Sequence, residues 1–96
     1  PGDADTLSNL GIVLGKQRKL DEAIARFQAA LDAHPEDPSA ILTNLGNALL
    51  LSGRTEEAIA RYGESLRFDP GDPETLSNLR VARRKLARLR TPSAHE

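Results

Sequence analysis

Leucines recur at the spacing of one helix face in two stretches of the chain. The two sets are Leu7, Leu10 and Leu14, and Leu42, Leu45 and Leu49. Apolar residues three and four positions apart indicate amphipathic helices, and no stretch alternates with the period of two that a strand requires. The pattern, together with the Asp and Pro residues that interrupt it, predicts five helices, at 4–17, 20–33, 38–52, 55–68 and 73–90.

Aspartate and proline mark where three of these helices should begin. Asp3, Asp37 and Asp72 each precede an apolar segment, and an Asp side chain there can accept a hydrogen bond from the first turn. Pro38 and Pro73 follow at the expected first helical position, where the missing N–H costs nothing. Because the connections between helices are short, neighbouring helices should be antiparallel.

The chain also contains an internal repeat. The sequence Asn-Leu-Gly at 9–11 returns at 44–46, which is 35 residues later, and returns as Asn-Leu-Arg at 78–80. A second block, at 21–27, matches 56–62 in the same register. Self-similarity at this period is typical of helical repeat proteins.

Two glycines of the repeat, Gly11 and Gly46, fall in the middle of predicted helices. Glycine there costs about 1 kcal/mol relative to alanine. We therefore expect a neighbouring helix to approach closely at each glycine, with the small residues Ala23, Ala30 and Ala58 facing it.

These positions resemble the tetratricopeptide repeat, a 34-residue helix–turn–helix unit, over nearly the whole chain. The signature positions are held in the first unit by Leu7, Leu10, Gly11, Leu14, Ala23, Phe27, Ala30 and Pro35, and in the second by Leu42, Leu45, Gly46, Leu49, Ala58, Tyr62, Ser65 and Pro70. The sequence departs from the family in having Leu for the signature Trp, Arg18 at a turn usually held by Gly, and one extra residue near Pro38.

The resemblance implies an all-α fold in which two repeat units and a C-terminal capping helix stack as a right-handed α-solenoid. The expected tetratricopeptide repeat domain is 1–90, with repeats at about 4–37 and 38–72, the cap at 73–90 and a flexible tail at 91–96. Arg80 and Arg83 lie on the cap where a further helix would otherwise dock, which indicates that the array ends there. The first helix has no cap, so we expect it to expose a face that once packed on an upstream repeat, and we expect self-association through that face.

Family geometry places the first helix of each repeat along a concave groove. Asn9, Asn44 and Asn78 would form a ladder of side-chain amides, which can bond the backbone of an extended peptide. The arrangement is similar to that in the repeat region of O-linked N-acetylglucosamine transferases. The alternative is that these amides only brace neighbouring helices. The residues expected to contact a bound segment are Asn9, Asn44, Asn47, Asn78, Ile12, Lys16, Leu50, Leu51, Val81, Arg84 and Lys85.

Charge is distributed unevenly although the net charge is −1. Residues 73–96 carry six basic and two acidic side chains (+4), whereas residues 1–72 carry seven basic and twelve acidic (−5). The six basic residues of 73–96 form a basic run: Arg80, Arg83, Arg84, Lys85, Arg88 and Arg90. The first interpretation of this run is a solvated capping face that also suits the helix dipole, and the second is a docking surface for an acidic partner. Nucleic acid is disfavoured, because only Phe68 lies near the run to stack on a base.

The sequence offers little for catalysis. It has no cysteine, and His34 and His95 are too far apart to indicate a metal site. It contains no phosphate-binding loop and no segment long enough to span a bilayer. We therefore expect a protein-interaction scaffold with a protein or peptide partner and no enzymatic activity, metal, cofactor, nucleic acid or membrane. The alternatives are an element of oligomer assembly and a regulatory region of a larger enzyme, such as a glycosyl- or sulfotransferase. No compartment is indicated, and the cytoplasm is the default expectation.

Overall fold

The computed structural model describes residues 3–90, and five α-helices account for most of them. They are α1 (Ala4–Lys16), α2 (Leu20–Asp32), α3 (Ser39–Leu51), α4 (Thr55–Phe68) and α5 (Pro73–Arg90). The prediction of five helices is confirmed, with no boundary displaced by more than one residue, and no strand occurs within 3–90. The right-handed stacking and the repeat boundaries stay predictions, and the expected tail at 91–96 lies outside the described residues.

The predicted aspartate caps are in place. Asp3 Oδ1 accepts a hydrogen bond from the Thr6 N–H at 2.7 Å, and this bond lowers the pKa of the Asp3 carboxyl. Asp72 Oδ2 accepts from the N–H of Thr75 at 3.2 Å. Asp37 Oδ1 accepts from the Ser39 N–H at 3.0 Å, so α3 begins at Ser39 and not at Pro38 as predicted. Pro38 instead caps the helix, and its carbonyl accepts the hydrogen bond from Leu42 N–H.

The turns inside the two predicted repeats have the same shape. Arg18 has a φ of 64° and Gly53, 35 positions later, has a φ of 88°. In both turns the next N–H bonds a carbonyl five residues back, from Lys19 to Leu14 at 2.9 Å and from Arg54 to Leu49 at 2.8 Å. This is the helix ending that glycine favours, because a Cβ atom is strained in the left-handed conformation. Arg18 therefore adopts the conformation expected for a residue that stands in for glycine.

The core is built from alanines and aromatic rings between consecutive helices. Ala23, Ala30 and Ala58 have no exposed surface, and neither does Tyr62, while Phe27 is 3% exposed. Each helix packs on the next one in the chain, and the body measures 53 × 29 × 18 Å. The smallest dimension corresponds to about two helix diameters.

The close approach expected at the mid-helix glycines is real, and the atoms nearest to each glycine belong to an aromatic ring. A Cβ atom at Gly46 would lie 2.6 Å from Cε1 of Tyr62, and one at Gly11 would lie 2.7 Å from Cε1 of Phe27. The expectation that Ala23, Ala30 and Ala58 also face the glycines stays a prediction. Each glycine makes room for an aromatic ring, because the ring of the second helix needs a flat surface on the first.

A chain of buried hydroxyl groups joins α3, α4 and α5. Thr43 Oγ1 lies 2.7 Å from Ser65 Oγ and 2.7 Å from Thr75 Oγ1. At one end the Ser65 hydroxyl donates to the Ser39 carbonyl at 2.8 Å. At the other end the Thr75 hydroxyl donates to Asp72 Oδ2 at 2.5 Å. These polar side chains therefore have hydrogen-bond partners inside the core, as burial requires.

The two ends of the array differ in polarity. On α1, Leu10 is 41% and Val13 is 50% exposed, whereas their counterparts on α3, Leu45 and Ala48, are 1% and 5% exposed. The difference arises because α2 packs on α3, while no described helix precedes α1. The expected open apolar face of α1 is therefore present. On α5 the exposed Arg80 gives the polar surface expected of a capping helix.

Candidate functional site

A cleft of about 260 Å³ opens between α1 and α3. Its floor includes Gly11 of α1 and Phe27 of α2. Five of the residues predicted from sequence to contact a ligand line this cleft, namely Ile12, Lys16, Asn44, Asn47 and Leu51. The cleft is thus the place where the sequence-predicted side chains converge.

Helical periodicity explains this convergence. Ile12 and Lys16 are four residues apart on α1, and on α3 the spacing from Asn44 to Asn47 to Leu51 is three and then four. Residues at these intervals lie on one helix face. Ile12 is 36% and Leu51 is 58% exposed, so the cleft presents apolar surface to solvent.

Asn47 is held by two hydrogen bonds from other helices. The Tyr62 hydroxyl donates to Asn47 Oδ1 at 2.5 Å, and Asn78 Nδ2 donates to the same oxygen at 2.9 Å. Burial of Tyr62, with a smaller effect from the negative charge of Glu74, raises the pKa of its phenol to about 12. The phenol is protonated at neutral pH with or without this shift, so it is available as the donor. This cluster fixes one side chain of the cleft from two directions.

The three rungs of the expected amide ladder have different surroundings. Asn9 is exposed on α1, and Asn44 is half-buried in the cleft. Asn78 is half-buried on α5 and uses its N–H group to bond Asn47, which is the bracing role that was the alternative. Binding of a peptide backbone by the ladder stays a prediction.

The remaining predicted contact residues lie away from the cleft. Leu50 is half-buried and packs against the core. Val81, at 49% exposure, lies on α5, where Arg84 and Lys85 are also exposed. Within residues 3–90, the ion pairs include one member of the basic run, Arg90, which pairs with Glu56.

Sequence reasoning missed an acidic cleft on the other side of Asn44. It has a volume of about 320 Å³, and its lining includes Asp69, Asp72 and Glu74 beside Thr43 and Asn44. The three carboxylates come from the turn between α4 and α5 and the first turn of α5. The arrangement was not predicted because these residues are far from α3 in the sequence. Their clustering at one repeat junction could have indicated an acidic surface there.

Among the described residues there is no group of three or more His, Cys, Asp or Glu placed to hold a metal ion. In the same part of the chain, no helix combines the length and the apolar character that crossing a membrane would need. What the site offers is apolar surface, oriented amides and separated charges, which are the elements of noncovalent recognition.

Comparison with family models identifies the repeat. A family model described as "Tetratricopeptide repeat" matches residues 2–70, which include α1 to α4. No curated protein matches the chain.

Proposed function

The chain belongs to the tetratricopeptide repeat family, and on that premise we propose that it is a protein-interaction scaffold whose concave surface binds a peptide segment of a partner. Repeats of this family serve generally as noncatalytic scaffolds for protein–protein interaction. The proposal adds the surface that binds and the form of the ligand.

The convergence of Ile12, Lys16, Asn44, Asn47 and Leu51 on one cleft is the observation that supports this function most directly. An apolar cleft with a few polar groups is the usual form of a recognition site. The cleft would take an apolar side chain of the bound segment. Amides beside it would bond the segment's backbone, because an amide supplies both donors and an acceptor.

The first test uses a displayed library of random peptides selected on the full chain. Peptides enriched by the unmodified protein should bind the Asn44→Ala variant about three- to tenfold more weakly, which corresponds to the loss of one or two hydrogen bonds. Affinity is measured by fluorescence anisotropy, and helicity is checked by circular dichroism. Gln28→Ala is the control, because it also removes a side-chain amide but lies exposed on α2, outside the cleft.

Two outcomes would count against the proposal. One is a library in which no peptide is enriched above the level found with an unrelated protein. The other is enrichment of peptides that bind Asn44→Ala and Gln28→Ala equally well, which would place binding away from the cleft.

The open face of α1 supports a second candidate function, assembly of copies of this chain. Leu10 and Val13 are 41% and 50% exposed although their counterparts on α3 are buried. Contiguous exposed apolar residues often mark an interaction surface. Sedimentation velocity at several concentrations should then show a species heavier than the monomer, and Leu10→Glu should remove it. A monomer at every concentration would exclude this function.

A further inference from the structure

Asn47 is the cleft residue whose orientation the structure defines best. Its Oδ1 accepts hydrogen bonds from the Tyr62 hydroxyl at 2.5 Å and from Asn78 Nδ2 at 2.9 Å. A carbonyl oxygen has two lone pairs, so both are occupied. Within residues 3–90, the side-chain N–H groups of Asn47 donate no hydrogen bond to another side chain. Asn47 lines the cleft, and with its oxygen occupied the groups it has left to offer a ligand are its side-chain N–H donors.

The first repeat has a different pair at the same two positions. Thirty-five residues before Asn47 and Tyr62 stand Ile12 and Phe27. Between the two repeats, the cleft residue and the aromatic residue next to it therefore differ together, as Ile12 with Phe27 and as Asn47 with Tyr62. Where the ring carries a hydroxyl the cleft residue is an amide, and where the ring lacks one the cleft residue is aliphatic. The cleft consequently has an aliphatic wall from α1 and a donor wall from α3.

Lys16 determines which acceptor fits best beside the donor wall. It lines the same cleft, and its ammonium group has donors only. A hydrogen bond between an ionised donor and a carboxylate is about twice as strong as one between neutral groups. The acidic cleft on the far side of Asn44, with Asp69, Asp72 and Glu74, would repel a carboxylate. The charges thus favour a ligand carboxylate on the side of Lys16.

From these observations we propose that the cleft selects a peptide segment with an aliphatic side chain next to an Asp or Glu, and that Tyr62 is the positioning residue for this selection. The inference rests on the proposed function. The aliphatic side chain packs on Ile12, and the carboxylate accepts from Asn47 and Lys16. Tyr62 has no exposed surface, so it acts through Asn47 and not by touching the ligand.

The test starts from peptides that the full chain enriches from the random library. Each is synthesised with its acidic residue intact and with Asp→Asn or Glu→Gln. The unmodified protein should prefer the acidic form by about tenfold, as expected for a charge-assisted hydrogen bond. Tyr62→Phe should reduce this preference to about threefold or less, because one of the two bonds that orient Asn47 is gone. A role in packing alone would lower the melting temperature and leave the preference unchanged.

A paired variant keeps the test decisive if Tyr62→Phe folds poorly. The double variant N47I/Y62F installs in the second repeat the two side chains that the first repeat already accommodates at the same positions. It should fold, retain binding of the aliphatic side chain and show a smaller preference for acid, because Lys16 is then the one remaining partner of the carboxylate. Its melting temperature and helicity are measured by circular dichroism.

The outcomes separate this inference from the proposed function. If the library yields no binders, both are overturned. If peptides bind in the cleft but show no enrichment of Asp or Glu, the ligand chemistry proposed here is wrong while scaffold function stands. An unchanged acid preference in N47I/Y62F would exclude Asn47 and Tyr62 from the selection.

Discussion

Gly46→Ala is expected to lower the free energy of unfolding by up to about 2 kcal/mol, even though alanine is the better helix former. The added Cβ atom would lie 2.6 Å from Cε1 and 2.8 Å from Cδ1 of Tyr62. Tyr62 has no exposed surface, so its ring has no space into which it can move. Overpacking of this kind costs about 1–3 kcal/mol, which exceeds the gain of about 1 kcal/mol in helix propensity.

Gly63→Ala provides the control for Gly46→Ala. Gly63 lies in the interior of α4, and a Cβ atom there would meet no side chain and no other helix within 4 Å. Alanine should therefore raise the free energy of unfolding by about 1 kcal/mol. Urea denaturation followed by circular dichroism measures both variants. Stabilisation by both substitutions would mean that the ring of Tyr62 does not pack on Gly46.

Alkaline pH is expected to destabilise the fold through Tyr62. Burial, and to a lesser degree the charge of Glu74, raises its pKa from 10.0 to about 12. Between these two values the unfolded chain has released a proton that the folded chain retains, so the free energy of unfolding falls as the pH rises. The contribution is intact below pH 10, and the loss reaches about 2–3 kcal/mol near pH 12, at about 1.4 kcal/mol per unit.

Tyr62→Phe isolates this contribution, because lysines and other groups also titrate in that range. Urea midpoints of the two proteins are compared between about pH 9 and 12, spanning the ordinary pKa of tyrosine and the raised one. The difference between them should shrink or reverse at the alkaline end, since phenylalanine has no proton to lose. Parallel curves for the two proteins would show that the ionisation of Tyr62 is not coupled to unfolding.

Much of the fold could be predicted because its signals are local and occur twice. The leucine spacing and the aspartate caps each depend on residues within one or two turns, and the 35-residue repeat confirmed the register of both. The ring of Tyr62 beside Gly46 could not be predicted from the glycine itself. A glycine in a helix signals close approach, but a small neighbour and a flat ring satisfy that signal equally well.

The candidate site was predictable to the extent that one helix face determines it. Family geometry predicted that Asn44, Asn47 and Leu51 line the groove, and their spacing of three and then four residues puts them on one helix face. Leu50 is adjacent to Leu51 in sequence but about 100° away around the helix, so it packs against the core instead. The hydrogen bond from Asn78 to Asn47 joins two residues that are 31 positions apart and lie on different helices. The spacing of residues along one helix does not reveal which of two amides will donate.

The hydroxyl chain of Thr43, Ser65 and Thr75 makes the second half of the molecule resistant to sliding. Hydrogen bonds are directional, so a shift of α4 or α5 along α3 would break them. Apolar contacts are not directional, and a similar shift would replace one such contact with another. The first half has no equivalent: Ser8 stands where Thr43 would be, but Ala30 occupies the position of Ser65 and offers no oxygen to bond. When an occupant bends this array, the bend should therefore fall at the junction of α2 with α3, leaving α3, α4 and α5 to move as one block.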